Sequence, residues 1–425
     1  MILLFLSMFI LFFIGVPISM SIGFASILWF INNDISLSIV ITRLFRSLNT
    51  FPLLAVPFFM LTGGFLNKGG AAKKLIILAE VLVGSLKGGL AQVNILVSMF
   101  FAGITGSASA DTSAVGSLLI PSMIEEGYEK DYSVAVTATS SVIGVLIPPS
   151  IPIVIAAISA NVSIGALLLA GIIPGILVGL ALMCVTYIIA HKRNYIAHKL
   201  ASLKEIKVAI LNAFPPLIAV IIIVGGIYSG VFTPTESAVV AAIYSLFLGV
   251  IVYKKIKLKD FFEILIDTCV IGGSALFLYA NASIFGWIVA TAKLPSLILN
   301  MITDLTTNAI VIQILIIFFL LLVGTIMDTS PAILILMPIL LPISSVLGLN
   351  PVHFAFVVTM GLSIGLVTPP VGCVLFVACN IADISIDKTI VSLIPYLIAL
   401  IAILLLVTFI PEIALYIPRL VFPKL

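Results

Sequence analysis

Apolar runs long enough to cross a bilayer recur along this chain from Ile2 to Leu420, with no polar block between them long enough for a soluble domain. A span needs about 20 mostly apolar residues. In hydrocarbon every backbone N–H and C=O must be satisfied within the protein, so such runs fold as helices. Of the 425 residues 62% are hydrophobic and 9% charged, against roughly a quarter charged in soluble domains. The expected fold class is an all-α polytopic membrane protein with no extramembrane enzyme domain. The first run, "MILLFLSMFILFFIGVPISMSIGF", lacks the basic start and small-residue cleavage site of a signal peptide, so it is expected to be retained as the first span.

Charge gives the orientation. Lys and Arg gather in "HKRNYIAHKLASLKEIK" (His191 to Lys207) and "YKKIKLKD" (Tyr253 to Asp260), separated by two spans' worth of apolar sequence. Both therefore lie on one side, and the basic excess makes that side cytoplasmic. The clusters anchor topology and carry no nucleic-acid signal. Cys184, Cys269, Cys373 and Cys379 sit inside apolar runs without metal-ligand spacing or a disulfide framework, as small packing residues.

The chain repeats itself weakly on either side of the His191 to Lys207 loop. "GSASADTSAVGSLLIPSM" is followed by an apolar run ending in "GVLIPPSIPIVI"; "GTIMDTSPAILILMPILLPI" is followed by one ending in "GLVTPPVGCVLFV". Matching the Asp-Thr dipeptides pairs Asp111 with Asp328, Pro121 with Pro338 and Pro148-Pro149 with Pro369-Pro370. Glycine and proline interruptions at corresponding places in two halves point to a binding site near the bilayer midplane. Backbone that leaves the helix survives in hydrocarbon only where it is buried or lines a cavity. We expect hairpin tips within Gly103 to Met123 and Gly324 to Pro331, and helix breaks at Ile147 to Pro152 and Val367 to Gly372.

Such tips and breaks expose half-helix ends, whose N–H groups suit anions and whose C=O groups suit cations. Sodium, a hard cation, would take backbone carbonyls together with the hydroxyls of Ser107, Ser109, Thr112, Ser150 and Thr368. A carboxylated substrate would take the helix starts and remaining hydroxyls around Gly106, Ser107, Thr112, Pro149, Pro369 and Pro370. The alternative for the small residues is close helix packing. Asp111 and Asp328, ionisable at membrane depth, are either ion ligands and gates or caps of the following half-helix. Glu236 in "GVFTPTESA" is expected as a cap or domain contact, and His353 has no partner cluster for a metal or proton role. Arg43, Arg46, Arg193 and Arg419 all lie outside the expected site. Lys293 is the nearest basic candidate for a carboxylate, or else an interfacial snorkelling residue.

Taken in order, "GITGSASADTSAVGSLLIPSM", "GVLIPPS", "GVFTPTESA", "GTIMDTSPAILILMPILLPI" and "GLVTPPVGCVLFV" resemble the large membrane subunit of TRAP transporters, the tripartite ATP-independent periplasmic carriers. The resemblance spans nearly the whole chain. It implies a bacterial inner-membrane secondary transporter that uses a sodium gradient and no organic cofactor to import an organic acid such as a C4-dicarboxylate or sialic acid. It implies two partners, a small four-helix membrane subunit and a soluble periplasmic substrate-binding protein. It also implies an elevator fold of two inverted repeats. The first covers 1–190, with a hairpin at 89–124 and a broken helix at 132–160; a cytoplasmic loop covers 191–212. The second covers 213–425, with a hairpin at 309–348 and a broken helix at 353–382. The family's sodium sites carry over onto Ser107, Ser109 and Asp111 with Pro148 and Ser150, and onto Gly324, Asp328 and Thr329 with Thr368 and Gly372. Two rivals remain: a stand-alone sodium/dicarboxylate carrier of related architecture, and an intramembrane aspartyl protease using Asp111 and Asp328.

Overall fold

The computed structural model describes residues 1–195, 200–306 and 308–423; positions 196–199, within the inter-repeat loop, lie outside the described residues. The described chain is helical throughout. Eight of its helices are long and apolar enough to cross a membrane, or nine if the bent pair Lys130–Leu146 and Ile151–Ser159 counts as one span.

The same order of elements occurs twice. In the first half, Gly89–Thr105 and Ala108–Glu125 form a hairpin whose arms meet at Gly106 and Ser107, followed by a helix interrupted between Leu146 and Ile151. In the second, Ala309–Ile326 and Thr329–Val346 meet at Met327 and Asp328, followed by a helix interrupted between Gly365 and Cys373. Prolines favour the interruptions here, although Pro215-Pro216 is accommodated within the continuous helix Leu203–Tyr228. Pro148-Pro149 and Pro369-Pro370 each remove two backbone donors, and a proline drives the residue before it out of helical geometry. Ile147 is accordingly extended (φ −82°, ψ 133°). Helix then restarts where a cap is supplied: the Ser150 hydroxyl accepts from the Ile153 N–H at 3.3 Å, satisfying one of the orphan donors of the new helix.

These hairpins and broken helices pack into one apolar core together with Ile172–Lys192 and Ile386–Phe409. Against them stand Ile18–Asn32, Ala55–Lys68, Leu203–Tyr228, Pro234–Phe247 and the 34-residue helix Leu258–Thr291. Capping sets the entry of two of these spans. Ser202 with Glu205, and Thr233 with Glu236, form reciprocal capping boxes in which each hydroxyl takes the N3 amide and each carboxylate takes the cap amide. Glu236 is thus a cap. His353 is buried, and its Nε2 meets the Val407 carbonyl oxygen at 2.8 Å, which ties the second broken helix to Ile386–Phe409.

On the basic side, Lys68 pairs with Asp260 at 3.4 Å and with Glu263 at 3.3 Å, joining the ends of two of the flanking helices. Arg193 pairs with Glu129 and donates to Ser392, fastening the end of Ile172–Lys192 to the first broken helix and to Ile386–Phe409.

Candidate functional site: a cavity where hairpin tips meet helix breaks

Each hairpin tip is hydrogen-bonded to the break of the helix that follows it. The Ile151 N–H donates to the Gly106 carbonyl at 3.2 Å, and the Gly372 N–H donates to the Thr325 carbonyl at 3.0 Å. These contacts need glycine. Gly106 is left-handed (φ +60°), and a Cβ there would lie 2.7 Å from the Pro149 carbonyl oxygen. A Cβ on Gly324 would lie 2.8 Å from the Gly365 Cα and collide with the Leu362 carbonyl. The backbones approach this closely because no side chain stands between them.

A cavity of about 820 Å³ lies over the two tips. The first tip contributes Thr105 and Ser107 to Ala110, the second Asp328 to Pro331, and the breaks Val145, Ile151, Pro152 and Leu366. Its opposite wall comes from the flanking helices, through Ser19, Met60, Gly63, Gly64, Asn67, Asp267, Thr268 and Ser274. Three helices start at this cavity, at Ala108, Ile151 and Thr329, and three run into it at their C-terminal ends, at Thr105, Leu146 and Gly365. The first set presents N–H groups and the second carbonyls, some already engaged: the Ile151 N–H donates to Gly106, the Ile153 N–H to Ser150, and the Gly365 carbonyl accepts from the Thr368 N–H at 2.9 Å. The lining holds Asp267 and Asp328 and, among the described residues, no Lys, Arg or His.

The structure sets the correspondence between the halves differently from the matched Asp-Thr dipeptides. Ser107 is the N-cap of Ala108–Glu125, and Asp111 lies one turn inside that helix; Asp328 is itself the N-cap of Thr329–Val346. In cap register Ser107 matches Asp328, Asp111 matches Ala332 and Pro121 matches Pro342, so the sequence pairing was one turn out. The Pro-Pro pairing stands: Lys130 to Pro148 and Pro351 to Pro369 are the same eighteen-residue step from helix start to break.

The two aspartates consequently differ. Asp111 is fully buried, and both carboxylate oxygens are without a hydrogen-bond partner. Ser98 and Ser141 adjoin it, but their hydroxyls are engaged elsewhere, Ser98 with the Ser140 hydroxyl at 3.0 Å and Ser141 with the Thr137 carbonyl at 2.8 Å. The next residue, Thr112, has a buried hydroxyl that also lacks a partner. A buried carboxylate in this condition calls for a proton or a cation. Asp328 instead lines the cavity, its carboxylate beside the Thr329 and Ser330 amides without closing a capping bond.

The other expected ligands fall into two groups. The Ser107 and Ser109 hydroxyls lie 3.2 Å apart at the first tip, and the buried Thr329 hydroxyl is unpartnered at the second. Ser150 is committed to its cap, and the Thr368 hydroxyl donates to the Ile364 carbonyl at 2.9 Å. Pro148, Pro149, Pro369, Pro370 and Gly372 form the breaks behind the cavity and are not part of its lining. Lys293 is exposed in a left-handed turn after Leu258–Thr291 and does not reach the cavity, so it is no carboxylate partner there. Arg43 stacks on Trp287 and Arg419 pairs with Glu412, both away from the site. Sequence reasoning missed Asn67, Asp267, Thr268 and Ser274 on the flanking wall. A single aspartate within the long apolar stretch after "YKKIKLKD" was the available signal.

The family model for the DctM component of the tripartite ATP-independent periplasmic transporters matches residues 5–413. The chain belongs to this family. Among curated relatives it is 39% identical over 411 residues to the sialic acid TRAP transporter large permease protein SiaM of Vibrio cholerae, covering 96% of both chains. It is 38% identical to the C4-dicarboxylate TRAP transporter large permease protein DctM of Pseudomonas aeruginosa, over 89% of this chain and 88% of that one. It is likewise 38% identical to the isethionate TRAP transporter permease protein DctMQ of Oleidesulfovibrio alaskensis, where 95% of this chain covers 64% of a longer protein. Among solved structures the YdaH transporter of Alcanivorax borkumensis shares the fold, with a TM-score of 0.64 at 17% identity over 91% of this chain and 89% of that one. This DctM component is an inner-membrane permease and not an enzyme, so the aspartyl-protease alternative falls. Burial separates its two supposed catalytic groups as well: Asp328 lines the cavity and Asp111 does not.

Proposed function

We propose that this permease imports an organic acid, with sodium as the coupling ion. The supporting observation is the charge of the cavity: two carboxylates and, among the described residues, no basic side chain line it. An organic anion entering such a site needs compensation. Three helix starts supply part of it, and a co-bound cation supplies the rest. Among the described residues no group of three His, Cys, Asp or Glu side chains can hold a metal. The cation would rest on the carbonyl end at Thr105 and on tip hydroxyls, with the unpartnered Asp111 as the nearby counter-charge in the first half.

Sialic acid, C4-dicarboxylates and isethionate, named for the relatives, are all acids, which fits a helix-start site. The choice among them falls to a periplasmic binding protein that delivers the cargo. A small membrane subunit would complete the complex, supplied as a separate chain or, as the longer DctMQ relative suggests, by fusion. The two halves are inverted repeats in this proposal, and the bundle of hairpins and broken helices moves as an elevator against the flanking helices. The cavity reaches Asn67, next to the Lys68 ion pairs on the basic side, which fits an inward-facing conformation in this proposal.

Uptake into proteoliposomes containing both membrane components and the binding protein tests the proposal. Replacing external sodium by choline at constant proton gradient is expected to stop uptake; unchanged uptake rejects sodium coupling. Uptake of equal rate without any binding protein supports the stand-alone carrier instead. Crosslinking cysteines placed at Asn67 and Ser113, which line the cavity from the flanking helices and the first hairpin, is expected to arrest transport. Full activity after crosslinking counts against the elevator.

A further inference from the structure

On the basic side, away from the transport cavity, a second pocket of about 260 Å³ is lined by Gly70, Lys73, Lys74, Ile77, Asn212 and Lys255. Three ammonium groups thus share one small space, contributed by Ala71–Val83 and by the turn after Pro234–Val252. Among the described residues no carboxylate pairs with any of them.

Packing places two of the three, Lys74 and Lys255. The Lys74 Nζ sits 3.3 Å from the centre of the Tyr253 ring, a cation–π seat. Gly70 is left-handed (φ +82°), and a Cβ there would come within 2.7 Å of the Lys255 Nζ. Glycine leaves the room that this ammonium occupies. Burial, and then the Lys255 charge, hold the Lys74 amine below the ordinary lysine range. Like charges gathered without an acidic partner are unfavourable alone and become favourable around an anion.

The surroundings say which kind of anion. The pocket is a groove between Ala71–Val83 and the candidate span Leu203–Tyr228, and Ile77, Ile210, Leu211 and Phe214 are exposed apolar side chains on those helices. Asn212 adds an amide donor between these apolar side chains. We propose that this pocket binds the phosphodiester headgroup of an anionic phospholipid of the cytoplasmic leaflet, with Lys73, Lys74 and Lys255 around the phosphate and the acyl chains along Ile77 and Phe214. Basic pockets between spans on this side of a membrane are suited to such headgroups.

Native mass spectrometry of the delipidated full-length chain, titrated with phosphatidylglycerol or phosphatidylcholine, tests this. The expected result is tight retention of one phosphatidylglycerol in preference to phosphatidylcholine. The pair Lys73→Gln and Lys255→Gln is expected to weaken it about 30-fold, roughly fivefold per lysine. Lys73→Arg with Lys255→Arg keeps the charge and should retain binding, which separates loss of the site from loss of the fold. Lys388→Gln, elsewhere on the surface, should change nothing. Equal retention of the two lipids, or undiminished binding by the double Gln variant, overturns the proposal. Displacement of the lipid by millimolar inorganic phosphate also overturns it, and makes the pocket a site for a free anion.

Discussion

The two hairpin tips use one architecture with different chemistry. Both end in a two-residue turn, both are hydrogen-bonded through backbone to the following break, and both open on the same cavity. In the first half the carboxylate lies one turn inside the helix, buried and unpartnered at Asp111, beside Ser98 and Ser141. In the second half the position one turn inside is Ala332, and the carboxylate has moved to the cap, Asp328, in contact with the cavity. The lesson is that repeating the fold fixes where carbonyls and amides converge and leaves side-chain charge free to differ. The two ion sites we propose are therefore unequal. The first has a fixed negative charge behind it, and the second depends on backbone dipoles and on a carboxylate the cargo can meet.

The strongest way to break this comparison is Asp111→Asn, which keeps shape and removes charge. Interactions with a charged group are worth about 1.5–3 kcal/mol. We expect the sodium concentration for half-maximal uptake to rise at least about tenfold, with the melting temperature unchanged or higher because a buried charge has gone. Sodium-titrated uptake in proteoliposomes measures this. A sodium dependence like that of the parent protein would make Asp111 a purely structural residue and the two halves functionally alike.

Next in size is the pair Gly324→Ala and Gly103→Ala, five residues before the first helical position of their respective tips. At Gly324 the new methyl meets the backbone of Gly365 and Leu362, which cannot rotate away. Overpacking of this kind costs about 1–3 kcal/mol, so a lower melting temperature in detergent is expected. At Gly103 it meets the Val220 methyls, 2.7 and 2.9 Å away, on a flanking helix. That contact lies between the moving and fixed parts of the proposed elevator, so transport should suffer more than stability. If Gly103→Ala and Gly324→Ala lower melting temperature and uptake in the same proportion, the division into moving and fixed parts loses this support.

Much of the architecture was legible because proline and glycine act locally. Pro148-Pro149 and Pro369-Pro370 were legible as interruptions because each follows a matching motif in its own half; a proline pair alone does not decide, since Pro215-Pro216 lies within the continuous helix Leu203–Tyr228. The register of the tips was not legible by the same route. The Asp-Thr dipeptides at Asp111 and Asp328 look alike in sequence, yet helix starts are set by which residue can cap, and Ser107 and Asp328 both can. The flanking wall of the cavity was hidden for another reason. Asp267 and Asn67 are scattered polar residues in mainly apolar helices, and only tertiary packing brings them opposite the tips.

Asp328→Asn should have a smaller effect than Asp111→Asn. Asparagine is as good an N-cap as aspartate, and the side chain keeps its place beside the Thr329 and Ser330 amides. A two- to threefold change in the substrate concentration for half-maximal uptake is the expected order, in line with about 0.2–1 kcal/mol for a solvent-accessible charge interaction, with sodium dependence little altered. The direction is informative: removing a negative charge from a cavity that receives an anion should tighten binding. Weaker substrate binding together with lost sodium dependence would instead make Asp328 an ion ligand equal to Asp111.

The smallest expected effect belongs to a carboxylate that is a cap and nothing more. Glu236 closes its box by accepting from the Thr233 amide at 2.8 Å and the Thr233 hydroxyl at 2.9 Å, at the exposed start of a flanking span. Glutamine also completes such a box, so Glu236→Gln should leave both melting temperature and uptake close to the parent. Glu236→Ala breaks it at a cost of about 1 kcal/mol, visible as a lower melting temperature with an unchanged sodium titration. This pair calibrates the other two carboxylates. If Asp328→Asn behaves like Glu236→Gln, the second tip uses its aspartate for shape, and charge at the proposed ion sites resides in the first tip alone. If Glu236→Gln itself alters sodium dependence, capping at a flanking helix is coupled to the tips, and the contrast between Asp111 and Asp328 can no longer be assigned to where each carboxylate sits.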